Sequence, residues 1–195
     1  MRYSTGHKAE TRERVLKEAA KEIRAKGPDN VAVSGIMARA GLTHGGFYAH
    51  FPSKDALVKE AIGTMFADAR ARSDKIDIDG DPRIVLRAYV DFYLSRAHRD
   101  GRDRGCPLPT LSGDFARSQP ATRERFGKGV EAIAARLAIP LARLGYDDAE
   151  SRALLAQLVG GVALARAVGD AALSDKLLAD THSSIVARYG LETAQ

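Results

Sequence analysis

The sequence predicts an all-α protein of about nine helices, with a small three-helix domain followed by a larger helical domain. Apolar residues recur at helical spacing along most of the 195 residues. Trp is absent, aromatic residues make up 6% of the chain, and Ala, Leu and Arg are abundant, a composition that favours helix over sheet. No stretch has the pattern of a β-strand. These observations together define the expected fold class.

Turn and capping residues divide the helical pattern into segments. Gly41 follows the second segment, where glycine is usual because it accepts positive φ without strain. Thr43 and Ser53 are expected to cap the third and fourth helices by accepting hydrogen bonds from free backbone N–H groups. The predicted helices span residues 8–26, 33–40, 44–50, 53–74, 83–99, 107–117, 120–144, 149–168 and 174–188.

Positive charge is concentrated at the N-terminal end of the chain. Residues 1–60 hold eleven Lys and Arg against seven Asp and Glu, which leaves +4 of the total net charge of +5. A basic end on a near-neutral body indicates a polyanionic partner such as nucleic acid. Charge alone fits a solvated amphipathic helix equally well, so the assignment depends on the motif described below.

The composition also disfavours several classes of protein. Cys106 is the only cysteine, so we expect no intrachain disulfide and no thiolate zinc site. The N-terminus has no apolar signal segment, and no run approaches the ~20 apolar residues that span a bilayer. Histidine spacing and glycine motifs typical of metal or nucleotide sites are missing. We therefore expect a cytoplasmic protein that is not an enzyme, with no membrane segment, no metal and no cofactor.

The segment VAVSGIMARAGLTHGGFYAHFPSK, which begins at Val31, predicts a helix-turn-helix. Residues 33–40 form the supporting helix, 41–43 the turn and 44–50 the second helix. In such motifs the N-terminal residues of the second helix reach base edges in the major groove of DNA. The segment is therefore predicted to read double-stranded DNA.

Residues at and after the turn are candidate DNA contacts. Thr43 and His44 stand at the start of the second helix, where base or phosphate contacts are expected. Gly45 and Gly46 cost about 1 kcal/mol each relative to Ala in a helix. Close approach to the sugar-phosphate backbone explains them, and loose packing against the first helix is the alternative. Phosphate contacts fit three further residues: Tyr48, His50 and Lys54.

The span from Val15 to Ile62, above all AGLTHGGFYAHFPSKDAL, resembles the N-terminal domain of the TetR family of transcriptional regulators. The resemblance implies an all-α homodimer, with a DNA-binding domain at 8–54 and a helical ligand-binding and dimerisation domain at 55–195. Ala32 departs from the pattern, because the family commonly places Ser or Thr there as a helix cap. The matching positions imply DNA contacts by Thr43, His44, Gly45, Tyr48, His50 and Lys54.

The expected function is sequence-specific transcriptional regulation by a repressor that a small-molecule inducer releases from its operator. Two other classes stay open. A helical enzyme with an incidental basic end predicts turnover without DNA. A non-specific DNA-packaging protein predicts equal affinity for any duplex.

The C-terminal segments carry weaker signals for ligand binding and pairing. A late helix with Gly160, Gly161, Leu154, Leu158 and Val162 is expected to supply a dimer seam, with intrachain packing as the alternative. A polar loop is expected over residues 98–107. The candidate ligand contacts are six apolar or aromatic residues: Phe66, Tyr89, Phe92, Tyr93, Leu111 and Phe115.

Cys106 is a candidate redox or electrophile sensor. It precedes Pro107 at a predicted helix start, with Arg102 and Arg104 nearby, and such surroundings lower the pKa of a thiol. The alternative is a small buried core residue.

Overall fold

In a computed structural model that describes residues 5–192, every regular element is a helix, which confirms the all-α prediction. None of the helices described is long and apolar enough to cross a membrane. The helices are α1 Thr5–Lys26, α2 Val33–Arg39, the 3₁₀ helix η1 His44–Ala49, α3 Lys54–Ser73, α4 Pro82–Tyr93, α5 Arg96–Asp100, α6 Leu108–Phe115, α7 Pro120–Arg143, α8 Asp148–Ala167 and α9 Ala171–Tyr189.

The helix predicted over 83–99 is two helices, α4 and α5, so nine predicted segments become ten in the described range. The break follows Leu94, where the Ser95 side chain caps α5 by accepting a hydrogen bond from the His98 N–H at 3.1 Å. This local cap competes with continuation of α4. The expected polar loop over 98–107 is also partly wrong, because His98 is buried.

The two predicted caps had different outcomes. Ser53 caps α3, since its hydroxyl accepts a hydrogen bond from the Ala56 N–H at 3.1 Å. Thr43 occupies the cap position of η1, but its side chain makes no capping bond. The first 3₁₀ turn is instead closed through the backbone, because the Gly46 N–H donates to the Thr43 carbonyl at 3.1 Å.

The N-terminal core forms where α1, α2, η1 and the first half of α3 bury their apolar faces together. Two residues of α6, Leu111 and Phe115, complete this core, although they are distant in sequence. Its principal buried residues are Val15, Ala19, Ala20, Ile23, Ile36, Met37, Phe47, Phe51, Leu57, Ile62 and Met65.

The C-terminal core is enclosed by α4, α7, α8 and α9. Leu154, Leu158 and Val162, which the sequence assigned to a dimer seam, are fully buried within this core. Gly161 is also an intrachain contact, because an added Cβ would lie 2.9 Å from the Thr181 side chain. That part of the seam prediction is wrong, since α8 uses this face to pack on its own chain.

Helix α3 belongs to both cores. Its first half packs in the N-terminal core, and Phe66 in its second half contacts both cores. A Cβ added to Gly129 would lie 2.2 Å from the nearest atom of the Phe66 ring, which leaves no room for a side chain. Helices α3 and α7 therefore approach each other closely at this point. The predicted boundary at residues 54–55 falls at the start of a helix that packs in both cores, and the division into two domains stays a prediction.

Candidate DNA interface and ligand cavity

The element predicted to read DNA is held from behind by two buried phenylalanines. Phe47 of η1 is 1% exposed and stacks on Phe51, with 5.7 Å between ring centroids. Met37 of α2 is also buried here. Gly41 makes the preceding turn with φ of 72°, the left-handed conformation that glycine adopts without strain. A short helix is thereby fixed to a rigid support.

The opposite side of η1 is open. Thr43, His44 and Gly45 are exposed, and the ring of Tyr48 is 70% exposed. A Cβ added to Gly45 would meet no atom within 4 Å. Packing against α1 therefore does not require a glycine at this position, which favours the explanation by close approach of DNA.

His50 and Lys54 lie at the end of η1 and the start of α3. His50 is half-buried, and its Nδ1 has no hydrogen-bond partner among the described residues. Burial lowers the pKa of His50, and the positive charges of Lys8 and Arg12 lower it further. The Lys54 ammonium donates a hydrogen bond to the Asp29 carbonyl at 3.1 Å, which leaves two N–H groups for a phosphate.

Helix α1 adds positive charge that the sequence did not assign to the site. Arg12 lies 4.7 Å from the centre of the Phe51 ring and pairs with Glu60 of α3. This pair ties the N-terminal part of α1 to α3 and brings Lys8 close enough to affect the pKa of His50. Only the charge count of residues 1–60 pointed to these groups.

A cavity of about 470 Å³ lies between α3, α4 and α7, within the size range of small-molecule sites. Four of the six candidate ligand contacts line it: Phe66, Tyr89, Phe92 and Tyr93. Leu111 and Phe115 do not, because α6 places them in the N-terminal core. Cys106 and Ile133 also line the cavity.

Arg72 and Arg136, which spacing alone did not single out, line the same cavity, as does Arg70, which pairs with Asp74. Arg136 is compensated, because its Nη1 lies 2.8 Å from the Asp74 carboxylate and its Nη2 donates to the Ser73 carbonyl at 2.9 Å. Arg72 has a buried Nη2 without a partner among the described residues. The two arginines therefore differ in their capacity to bind a ligand.

His98 fixes the segment that carries Cys106. Its Nδ1–H donates to the Tyr93 carbonyl at 2.6 Å, and its Nε2 accepts a hydrogen bond from the Cys106 N–H at 3.0 Å. The partners determine the tautomer, since a carbonyl only accepts and an N–H only donates. Burial lowers the pKa of His98 to about 4, so the ring is neutral at pH 7.

The surroundings of Cys106 differ from those on which the sensor hypothesis was based, and the hypothesis stays a prediction. The thiol is buried, and this burial raises its pKa, whereas the sequence predicted a lowered one. Hydrogen bonding with Tyr93 and with the Leu108 backbone opposes this effect, and the charges of Arg166 and Arg72, rather than those of Arg102 and Arg104, lower the pKa less. Cys106 is therefore a wall of the cavity, in line with the alternative of a buried residue.

We expect iodoacetamide at pH 7 to alkylate Cys106 at least ~10-fold more slowly than free cysteine, because the thiolate is the reacting species. Mass spectrometry measures the rate, and Cys106→Ser gives the background, since Cys106 is the only thiol. Alkylation as fast as that of free cysteine would restore the sensor hypothesis.

A buried arginine joins the two domains. Arg24 of α1 is 3% exposed, and its guanidinium contacts the Asp68 carboxylate of α3 at 3.1 Å. Its Nε donates to the Asp103 carbonyl, in the segment between α5 and α6, at 2.6 Å. One side chain therefore connects the DNA-binding helices to α3 and to the segment that leads to Cys106.

A supported helix with an exposed face after a glycine turn is the arrangement of a helix-turn-helix, here followed by helices that enclose a cavity. Residues 15–61 match the family described as "Bacterial regulatory proteins, tetR family". A Bacillus subtilis protein described as "Uncharacterized HTH-type transcriptional regulator YdgC" is 36% identical over 98 residues, covering 47% of this chain and 50% of that protein. The chain thus spans about half the length of this relative.

Solved structures extend the similarity over the whole fold. The reduced form of Escherichia coli NemR matches with a TM-score of 0.77 at 20% identity, covering 91% of this chain and 97% of that chain. A TetR transcriptional regulator from Chloroflexus aurantiacus J-10-FL matches with a TM-score of 0.73 at 28% identity, covering 92% and 96%. The N-terminal segment thus matches the TetR family model, and the fold resembles that of a TetR transcriptional regulator over more than nine-tenths of the chain.

Proposed function

We propose that this protein is a homodimeric repressor that binds an operator through η1 and leaves it when a small molecule enters the cavity. The observation that carries the proposal is the exposed face of η1 above the buried Phe47. Because the chromosome is its target, the proposed compartment is the cytoplasm. The proposed DNA contacts are Thr43, His44, Gly45, Tyr48, His50 and Lys54.

A gel-shift assay tests the DNA-binding part of the proposal. The probe is DNA from upstream of the protein's own gene, with random-sequence competitor, at two salt concentrations. We expect a shift that survives competition and weakens with salt, with a slope of about −0.9 per phosphate contact. Equal competition by random DNA would favour non-specific packaging, and no shift with any DNA would overturn the proposal.

We expect Gly45→Ala to weaken operator binding without loss of stability. The new Cβ meets nothing in the protein, and Gly45 does not have positive φ, so the free energy of unfolding should be unchanged or about 0.4–1 kcal/mol higher. On DNA, the methyl group would press against the backbone. Gel shift and thermal unfolding measure the two effects. Undiminished affinity would contradict the close approach.

The proposed dimer surface is the exposed side of α8 and α9. Leu164 is 57% exposed, and Leu173 of α9 is also exposed. A Cβ added to Gly160 would meet no atom within 4 Å, so this glycine leaves room for another helix. Gly160 was already assigned to the seam by the sequence, whereas Leu164 and Leu173 replace the buried residues of that assignment. Pairing through this surface places two copies of η1 on one duplex.

We expect Leu164→Glu to convert the dimer to a monomer, because it places a charge in an apolar interface. Operator affinity should fall by at least ~10-fold as one half-site contact is lost. Light scattering after gel filtration measures the mass. The matched control is Ile84→Glu, which changes an apolar residue of α4 that is 70% exposed and should leave mass and affinity unchanged. A Leu164→Glu protein that stays dimeric would place the interface elsewhere.

An aromatic contact path supports coupling between the cavity and η1. Phe66 lines the cavity and lies 5.6 Å from Phe126, and Phe126 lies 4.9 Å from Phe115 in the N-terminal core. A ligand that displaces Phe66 would shift this packing, and Arg24 would transmit movement of α3 to α1. Two reading helices must match half-sites about 34–36 Å apart, so a small rotation reduces affinity.

A further inference from the structure

Two residues that line the cavity, Tyr93 and Arg72, have buried polar atoms with no hydrogen-bond partner among the described residues. The Tyr93 side chain is 1% exposed, and its hydroxyl has no hydrogen-bond partner among the described residues. The Cys106 thiol interacts with it, but a thiol is a weak partner. Burial raises the pKa of Tyr93 well above its ordinary value, so the hydroxyl remains a donor. An unpaired buried hydroxyl is costly, and a ligand acceptor would remove this cost.

Arg72 adds an unpaired positive charge to the same cavity. Its Nη2 is buried without a partner, and no ion pair of its guanidinium is found among the described residues. Its neighbours include the like charges of Arg24 and Arg104 and the single carboxylate of Asp68, which already pairs with Arg24. The surroundings of Arg72 are therefore short of negative charge.

Arg166 adds a second positive charge close to Cys106 and Tyr93. Its guanidinium donates to the Arg99 carbonyl at 2.9 Å, the Thr110 hydroxyl at 2.6 Å and the His98 carbonyl at 2.7 Å. All three partners are neutral. Its charge interacts with both Tyr93 and Cys106. Neither Arg72 nor Arg166 forms an ion pair with a carboxylate among the described residues, although Asp68 acts on Arg72 and Asp100 acts on Arg166 from a greater distance.

The remainder of the cavity wall is largely apolar, with Phe66, Tyr89, Phe92, Ile133 and Ile139. We infer that the inducer is a small apolar monocarboxylate, whose carboxylate accepts hydrogen bonds from Arg72 and the Tyr93 hydroxyl while its hydrocarbon part contacts this wall. Arginine offers paired N–H donors that suit a carboxylate. This inference rests on the proposed function, because it names the ligand class of the same regulator.

Binding of three matched probes tests the inference: naphthalene-2-carboxylate, 2-methylnaphthalene and 2-naphthylmethylammonium. We expect the carboxylate to bind about 10–100-fold more tightly than the hydrocarbon, the range of charge-assisted hydrogen bonds, and the ammonium most weakly. Bound carboxylate should also slow alkylation of Cys106, which locates the probe in the cavity. Equal affinity for carboxylate and hydrocarbon, stronger ammonium binding, or no binding of any probe would overturn the inference.

Three variants assign the preference to particular groups. Arg72→Gln should abolish the preference for carboxylate, and Tyr93→Phe should reduce it several-fold. Arg104→Gln removes a nearby exposed charge that does not line the cavity, and should change the preference less than ~2-fold. Persistence of the full preference in Arg72→Gln would contradict the proposed contact. Should Arg72→Gln not fold, the outcome for Tyr93→Phe decides.

Thermal unfolding of Tyr93→Phe distinguishes a binding role from a structural one. Removing an unsatisfied buried hydroxyl should raise the Tm of the ligand-free protein by ~2–4 °C while affinity for the carboxylate falls. A lowered Tm would mean that the hydroxyl stabilises the fold. The gel shift on the free protein is independent of these measurements. Operator binding without probe binding would reject the ligand class alone, and probe binding without operator binding would reject the proposed function.

Discussion

Phe47→Ala should unfold the N-terminal domain and abolish operator binding, whereas Tyr48→Ala should leave the fold intact and weaken binding alone. The adjacent rings differ in burial, 1% exposed for Phe47 and 70% for Tyr48. Truncating a buried phenylalanine costs about 3–5 kcal/mol through lost burial and the cavity left behind. Truncating an exposed ring usually changes stability by less than about 0.5 kcal/mol.

Urea unfolding measured by circular dichroism, together with gel shift, separates the two effects. Tyr48→Phe serves as the control for the hydroxyl, because it keeps the ring and removes only the polar group that is expected to contact phosphate. A Tyr48→Ala protein with full operator affinity would exclude this ring from the interface. A stable Phe47→Ala protein would contradict the supporting role of the core beneath η1.

Acid should destabilise the protein through His98. The folded pKa of about 4 lies below the ordinary value of 6.5, so between these values the unfolded chain binds a proton that the folded chain does not. Stability from this group is therefore complete above about pH 6.5 and is lost as the pH falls towards 4. The shift corresponds to about 3 kcal/mol, at 1.36 kcal/mol per pKa unit.

His98→Ala provides the comparison. At pH 7 the variant should be about 2–4 kcal/mol less stable, because the Tyr93 carbonyl and the Cys106 N–H lose their partner. The difference in the free energy of unfolding between wild type and variant should shrink as the pH falls to 4. Only the wild type has His98, so only the wild type loses stability when this residue is protonated. Urea unfolding at a series of pH values measures it. A constant difference would mean that His98 has the same pKa in the folded and unfolded chains, which would contradict the lowered pKa.

Local signals were sufficient for most helices and for the DNA-binding element. Gly41, Ser53 and the alternation of apolar and charged residues along α1 act within a few residues, so their effects can be read from sequence. The division of α4 from α5 could not be predicted, because no glycine or proline marks it. Ser95 caps α5 through the His98 backbone N–H, while the buried His98 ring is held by Tyr93 and Cys106, contacts that apolar spacing does not reveal.

The ligand cavity was only partly predictable for a related reason. Aromatic residues at helical spacing indicate a buried face, but not which of two cores receives it, and so Leu111 and Phe115 were assigned to the cavity. The sequence does not single out Arg72, because what distinguishes it is the absence of an ion-pair partner among the described residues, and that is visible only in the structure. Leu158 illustrates the same limit, because one apolar helix face serves equally well within a chain or between two chains.

The contribution of α6 to the N-terminal core limits how DNA specificity can be exchanged between relatives. In a chimera that replaces residues 1–60 and retains the remainder, the core side chains of the new segment would pack against the original Leu111 and Phe115. Mismatched volume there would weaken the transplanted domain even if every base contact were preserved. Successful grafts should therefore carry α6 along with the reading helices, or exchange only the exposed residues of η1.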